Sequence, residues 1–553
     1  MLNSKCVIDV FNEKIEVLAG TSFLEIARTF QDQFKYPIIA VRVNGHFRSL
    51  NEKIQSHASI EFYDLTSRDA NRIYLHGLMF LLIYSTKIIY GSKLNITIKH
   101  SIDKGMFCET DRKITKEDVK KIHKQMQLLV EDDLPISLKN VRRVDAIEYF
   151  KAVHEDVKAD LLRYTTNTFV SLYKLGDMYD YFFSPMPIST GALKDFDLTY
   201  VNEKGFVLLF PTIYRPGEIK PYVHHPNLFR LFNEYHNWAS VIGVKNVVDL
   251  NKLVSGGKID DLIRLDEAMQ SSRLLEVAKA IYSKKNHIKI ILIAGPSSSG
   301  KTTTSMKLSS YLRSFGFHPV KISMDDYFLH RDLTPRKADG TYDFECIEAL
   351  DLKLFEKQMI ELLDGKEVMT PKFDFVKGEP NFIQPLKLAS NDLLIIEGIH
   401  ALNPVLLEHI DKKKKFKIYV TPATALNIDN HNRISTSDNR MIRRMIRDNR
   451  TRGNPPLKTI MEWPSVREGE EKYIFPFQDE ADWTLNTALL YEIGVLRTYA
   501  EPLLYTVPIE SEYYEEAKRI INILKNFLPI SPSAIPDDSI LREFIGESCY
   551  KGE

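Results

Sequence analysis

The chain has 553 residues, of which 44% are apolar and 27% charged, with 74 Lys plus Arg balanced by 74 Asp plus Glu. Such a length suggests three or four globular domains, and a net charge of zero excludes a global pull toward nucleic acid or an anionic membrane, leaving only local basic faces for such partners. The four cysteines, Cys6, Cys108, Cys346 and Cys549, are scattered without a CxxC pair, which fits reduced thiols in a cytoplasmic protein better than a disulfide frame or a zinc site.

Residues 1–64 read as a small mixed domain. "CVIDVF", "KIEVL" and "SIEFYDL" are short strand patterns, and "SFLEIARTFQDQF" has helical spacing with Ser22 as its N-cap. Asn44-Gly45 stands between two strand-like runs and signals a hairpin. The first residues alternate like a strand and lack the apolar core of a signal peptide. Residues 65–215 alternate helical and strand patterns. Their most apolar run, Ile73 to Tyr90, carries His76, Ser85, Thr86 and Lys87 and reads as a buried helix, not a membrane span. "DVKKIHKQMQLLVEDD" is a second, amphipathic helix. Residues 216–286 are mostly helical and read as a connector.

At 287 the pattern changes. "HIKIILIAG", "PVKISM", "DLLIIEG" and "KFKIYV" are apolar, β-branched runs separated by helical stretches. That alternation predicts a parallel sheet with helices on both faces over 287–528. Near its end, Ala517, Ile520, Ile521 and Leu524 share one side of an amphipathic helix. The tail 529–553, which contains Pro and Ser, is expected to pack loosely.

"GPSSSGKT" at 295–302 follows the strand "KIILIA" and opens the helical "TTTSMKLSSYLRSF". A G-x-x-x-x-G-K-[ST] loop in that context binds nucleoside triphosphates. Gly295 and Gly300 let backbone N–H groups wrap phosphate oxygens, with Ser297, Ser298, Ser299 and Thr303 on the same loop and helix start. Lys301 reaches the β- and γ-phosphates, and Thr302 offers its hydroxyl to Mg²⁺. Glu397, at the end of a buried strand, is a second candidate Mg²⁺ ligand. Asp325-Asp326 end another strand. One of the two should face the site, because neighbours on an extended chain point to opposite sides, and a carboxylate there suits a general base. Arg440, Arg443, Arg444 and Arg447 lie on one broad helical face, with Met441, Ile442, Met445 and Ile446 supplying apolar packing. Such a helix is expected to serve as a mobile lid that neutralises phosphoryl charge. No NKxD guanine signature is present.

From about 285 to 510 the chain resembles the uridine kinase and phosphoribulokinase family of P-loop kinases, through "GPSSSGKTT", "ISMDDYF", "YDFECIEALD", "TPKFDF", "IIEGIHALNP" and "RMIRRMIRDNRTRG". The resemblance implies ATP and Mg²⁺, with Asp325 as the catalytic carboxylate assisted by Lys301, Arg443 and Arg447. It puts Glu397 at the metal and Glu348 where the family places a ribose-binding Asp. Tyr327, Phe373, Arg440 and Arg444 complete the expected acceptor pocket. One segment departs: where uridine kinases carry Y-D-F-x-x-H-x-R, this chain has Phe373-Asp374-Phe375-Val376-Lys377-Gly378-Glu379-Pro380. Loss of those polar groups removes the hydrogen bonds that discriminate a base.

Residues 1–215 resemble the N-terminal part of threonyl-tRNA synthetase, a TGS β-grasp domain followed by an α+β editing domain, through "AVRVNGHFRSL" and "HSIDKGMFCE". The editing domain's HxxxH and CxxxH are replaced by Arg72-Ile73-Tyr74-Leu75-His76-Gly77 and by Tyr181-Phe182-Phe183-Ser184-Pro185-Met186-Pro187. His76 is therefore expected in the core, with no metal and no editing hydrolysis in this half. The combined reading is a multidomain α/β protein whose P-loop domain phosphorylates a small acceptor, first a nucleoside. A purine nucleoside or sugar-phosphate acceptor, or a nucleotide-gated regulator touching tRNA or the ribosome, are the alternatives. A homo-oligomer is compatible with each, and no membrane partner is expected.

Overall fold

The computed structural model describes residues 5–337, 340–374, 376–424 and 426–550. Phe375 and residues 551–553 of the tail lie outside them.

The first domain is a five-stranded sheet in the order Glu13–Leu18, Lys5–Val10, Ala58–Tyr63, Ala40–Val43, His46–Arg48. Lys5–Val10 runs parallel to Ala58–Tyr63 and the other neighbours are antiparallel. The helix Phe23–Phe30 starts with a capping box, in which Ser22 and Glu25 each accept from the other's backbone N–H. Asn44 (φ 48°) and Gly45 (φ 80°) form the expected turn, since a two-residue hairpin needs positive φ at both positions.

In the second domain the apolar run forms the helix Arg68–Tyr90. It has the length and composition of a membrane span, yet Leu78, Phe80, Leu81 and Leu82 are fully buried in the protein. A four-stranded and a three-stranded antiparallel sheet accompany it, and Thr115 caps the amphipathic helix Lys116–Glu131. The connector contains three helices, Pro226–Val241, Val247–Ser255 and Ile259–Ser283.

The C-terminal domain centres on a five-stranded parallel sheet ordered His318–Ser323, Asp392–Glu397, Ile290–Ala294, Lys415–Thr421, Trp483–Asn486. Ile291 and Ile293 face the helices Ile259–Ser283 and Lys301–Ser314 through Leu274, Val277, Leu308 and Leu312. Ile290 and Leu292 face the helix Leu352–Leu363 through Phe355 and Met359. Both faces are thus covered, which explains why the central strand Ile290–Ala294 is apolar throughout. The loops at the C-terminal strand ends carry the phosphate loop, Asp325 and Glu397.

The tail corrects the expectation of loose packing. Ile530, Ile535, Ile540, Leu541, Phe544 and Ile545 join the largest core, 0–6% exposed. Prolines and serines give the segment its irregular backbone, while the interspersed aliphatic side chains still gain by burial.

The N-terminal half is joined to the C-terminal domain by backbone and by charge. Ile98 N–H donates to Asn430 O at 2.8 Å, and Asn427 Nδ2 donates to Ile98 O at 2.8 Å. Lys158 Nζ is 2.5 Å from Asp180 Oδ1 and also contacts His431, with all three side chains buried. Burial alone would raise the Asp180 carboxyl, but Lys158 and His431 bring it down to about 2. Tyr181 donates its hydroxyl to Asp429 Oδ2 at 2.5 Å. Tyr181→Phe is expected to cost about 1.5–3 kcal/mol, the range for a hydrogen bond to a charged group, read as a lowered urea midpoint of the full chain.

Candidate active site

The strand Ile290–Ala294 delivers the chain into the loop 295–300, and the helix Lys301–Ser314 departs from it. Gly295 is demanded by close approach: a Cβ there would stand 2.1 Å from Val420 O and 2.7 Å from Ser299 Oγ. Gly300 caps the helix in the left-handed region, φ +85°, where other residues are strained. Ser298 also has positive φ (58°). Among the described residues the buried hydroxyls of Ser298 and Ser299 have no hydrogen-bond partner. Orphaned donors on a loop at a helix N-terminus suit a polyanion.

The loop opens on a cleft of about 600 Å³. Ser297 to Thr302, Asp325, Phe373, Glu397, Arg444 and Arg447 all line it. Lys301 Nζ folds back onto the carbonyls of Gly295 (3.0 Å) and Pro296 (3.3 Å). Thr302 Oγ1 lies 3.3 Å and 3.4 Å from the two Glu397 oxygens. A hydroxyl and a carboxylate side by side beneath a phosphate loop fit Mg²⁺, a hard ion that takes few protein ligands and fills its octahedron with water and phosphate oxygens. Burial pushes the Glu397 carboxyl up to about 7, against Lys321 and Lys301.

Asp325 and Asp326 sit on the short 3₁₀ turn Met324–Tyr327, not on an extended strand. Asp325 lines the cleft. Asp326 turns away, 3.3 Å from both Lys372 Nζ and Phe373 N. Burial raises the Asp325 carboxyl, and Lys301 opposes this.

Four expected site residues are placed elsewhere. Arg440 is bidentate on Glu470, 2.7 Å for one contact, and donates to Ser297 O at 3.2 Å. Arg443 is fully buried and pairs with the fully buried Glu492 while donating to Thr487 O at 2.8 Å. The helix Thr436–Arg452 is consequently a core element, with Met441, Ile442, Met445 and Ile446 at most 3% exposed; it is not a loose lid. A helix with both an apolar stripe and two buried ion pairs has no solvated face large enough to lift. Tyr327 is buried, its hydroxyl donating to Gln358 at 2.8 Å. Glu348 is exposed on the 3₁₀ turn Ile347–Ala349 and is not among the cleft residues. Arg444 and Arg447 remain at the cleft, Arg444 donating to Ser297 Oγ at 3.2 Å and Arg447 pairing with Asp448 at 2.8 Å.

The cleft also holds residues that the sequence reading did not assign: Phe328, Arg331, Phe344, Glu345, Arg452 and Glu543. Phe328 stands 5.7 Å from Phe373 and 6.5 Å from Phe344, centroid to centroid, forming an aromatic wall. Phe373 belongs to the hairpin Val368–Asp374/Glu379–Leu386, which the strand patterns did not reveal. At its turn, Gly378 (φ +78°) lies against Arg331; a Cβ there would be 2.7 Å from Arg331 Nε. Glu345 is driven up to about 7 by burial and then by Glu470. A carboxyl raised in the folded state binds its proton more tightly than in the unfolded chain, so its contribution to stability falls as pH climbs from the unfolded value toward about 7. Glu345→Gln is expected to flatten that limb, raising Tm at pH 8 relative to the parent and leaving it unchanged at pH 4, as followed by circular dichroism.

Among known proteins, residues 290–489 match the model of the phosphoribulokinase / uridine kinase family. Those residues form a P-loop kinase domain of that family. The N-terminal part is similar to threonine–tRNA ligases. With the ligase of Syntrophotalea carbinolica it is 33% identical over 167 residues, 30% of this chain and 26% of the ligase. With that of Geobacter sp. strain M21 it is 29% identical over 185 residues, 33% of this chain and 29% of the ligase. The chain therefore spans under a third of the length of these ligases. A solved structure titled as a possible uridine kinase from Bacillus stearothermophilus covers 39% of this chain and 98% of its own, at 18% identity and a TM-score of 0.27.

Proposed function

We propose that the kinase domain transfers the γ-phosphate of ATP to a hydroxyl of a small acceptor, in the first instance the 5′-OH of a nucleoside. The observation that carries this is the meeting, in one cleft, of the phosphate loop, the carboxylate of Asp325 and the aromatic wall Phe328, Phe344 and Phe373. Loop N–H groups and Lys301 hold the phosphates, and Asp325 takes the proton of the attacking hydroxyl. Arg444, Arg447 and Arg452 offset charge on the transferring group. Thr302 and Glu397 would hold Mg²⁺, which supplies charge neutralisation between phosphate oxygens when bound. The aromatic wall gives an acceptor ring a stacking surface without selecting a particular base edge.

A specific observation favours a second acceptor class. Gly378, at the position where the family's His would stand, leaves its space to Arg331, a cation at the cleft. A phosphorylated sugar would complement that charge. The test is a panel of pyrimidine nucleosides, purine nucleosides and pentose phosphates incubated with γ-labelled ATP. A labelled nucleoside monophosphate supports the first reading, and a labelled pentose bisphosphate without nucleoside product replaces it by the second.

A further inference from the structure

The tail reaches back to the phosphate loop. Glu543 Oε2 accepts from Thr303 N–H at 3.1 Å and from Thr303 Oγ1 at 2.8 Å. Thr303 lies in the first turn of the phosphate-loop helix, whose unpaired N–H groups and positive dipole end favour an anion. In a loop of this kind the backbone N–H groups cradle the α- and β-phosphates, so a carboxylate already stands at a phosphate position. Its backbone is fastened from both sides. Arg450 donates to Glu543 O at 3.0 Å and to Phe544 O at 3.2 Å. Phe544 is fully buried, with the Arg443 guanidinium 4.9 Å from its ring centroid. Ile540 covers the loop: a Cβ on Gly300 would lie 2.8 Å from Ile540 Cγ2.

We propose that the C-terminal segment is an autoinhibitory plug in which Glu543 competes with the nucleotide for the helix N-terminus. The proposal rests on the reading of this cleft as the ATP site. One N–H and one hydroxyl cannot serve a carboxylate and a phosphate together, and two anions at that separation repel strongly in a partly dry cleft. The Glu543 side chain must therefore leave Thr303 before the triphosphate seats, while its neighbours Leu541 and Phe544 stay in the core, and the apparent affinity is reduced by the fraction of molecules in which the carboxylate is withdrawn.

The test titrates Mg·ATP into the full chain carrying Glu543→Gln, Glu543→Ala or Lys301→Ala, beside the parent, by calorimetry. Both Glu543 variants are expected to bind about 10-fold or more tightly, the gain that follows when a mostly closed site is released, while Lys301→Ala loses binding. On the parent chain, amide exchange over 537–547 should quicken when a non-hydrolysable ATP analogue is added, a readout that does not depend on any variant folding. Unchanged or weaker binding by both Glu543 variants, or slower exchange over 537–547 with the analogue, overturns the plug while loss of binding in Lys301→Ala keeps the ATP site. If Lys301→Ala binds like the parent, the ATP-site reading falls, and the plug with it.

Discussion

Replacing Asp325 by Asn is expected to lower kcat by about 10²–10⁴-fold, the usual contribution of a positioned general base, with ATP affinity nearly unchanged. The side chain keeps its size and its place on the 3₁₀ turn, so the loop and Lys301 still meet the phosphates. What is lost is the acceptor for the hydroxyl's proton. The pH profile carries the same information. Burial raises the Asp325 carboxyl, so the parent's rate should fall as acid protonates it, starting at a higher pH than for an exposed aspartate. Asp325→Asn should lose that acidic limb along with its rate. Steady-state kinetics across pH, paired with calorimetric ATP binding, checks both. A variant with near-parental kcat removes Asp325 from the mechanism.

The second large effect concerns stability. Arg443→Met is expected to destabilise the chain by about 3–5 kcal/mol, the cost of stripping one partner from a buried ion pair. Arg443 and Glu492 are both completely buried, and Thr487 O loses a donor in the same substitution. Arg444→Met, one residue along and 16% exposed at the cleft, should cost less than Arg443→Met, because the buried Asp448 keeps its 2.8 Å pair with Arg447 and Glu462 is exposed, and should instead lower phosphoryl transfer. Urea denaturation of the two variants separates a structural arginine from a site arginine. A stable, inactive Arg443→Met would return that residue to the catalytic group.

The contrast between these neighbours shows where sequence reasoning ended. Helical spacing placed Arg440, Arg443, Arg444 and Arg447 on one face, and the apolar residues between them are indeed buried. Spacing along one helix cannot show that Glu470 and Glu492, from two other helices, reach in to neutralise the first two arginines. The phosphate loop was legible because its glycines, lysine and threonine act within eight consecutive residues, flanked by a strand and a helix. The hairpin turn at Asn44-Gly45 and the Ser22 cap were legible for the same local reason. Glu543 was not, since it meets Thr303 across 240 positions from a segment whose composition signals a loose tail. Glu345 and Glu348 stand three residues apart on the same short stretch, and which of them faces the cleft depends on the 3₁₀ turn Ile347–Ala349, which no local pattern announces.

The central claim is that one cleft both holds ATP and hands its phosphate to a hydroxyl activated by Asp325. A single-turnover chase tests it most directly: the full chain is loaded with γ-labelled ATP and Mg²⁺, then mixed with the acceptor panel and quenched at intervals. Label is expected to move from ATP onto one acceptor's hydroxyl in step with ADP formation, and to stay on ATP over the same interval when Asp325→Asn is used. Release of label only as free phosphate, whatever the acceptor, would contradict it.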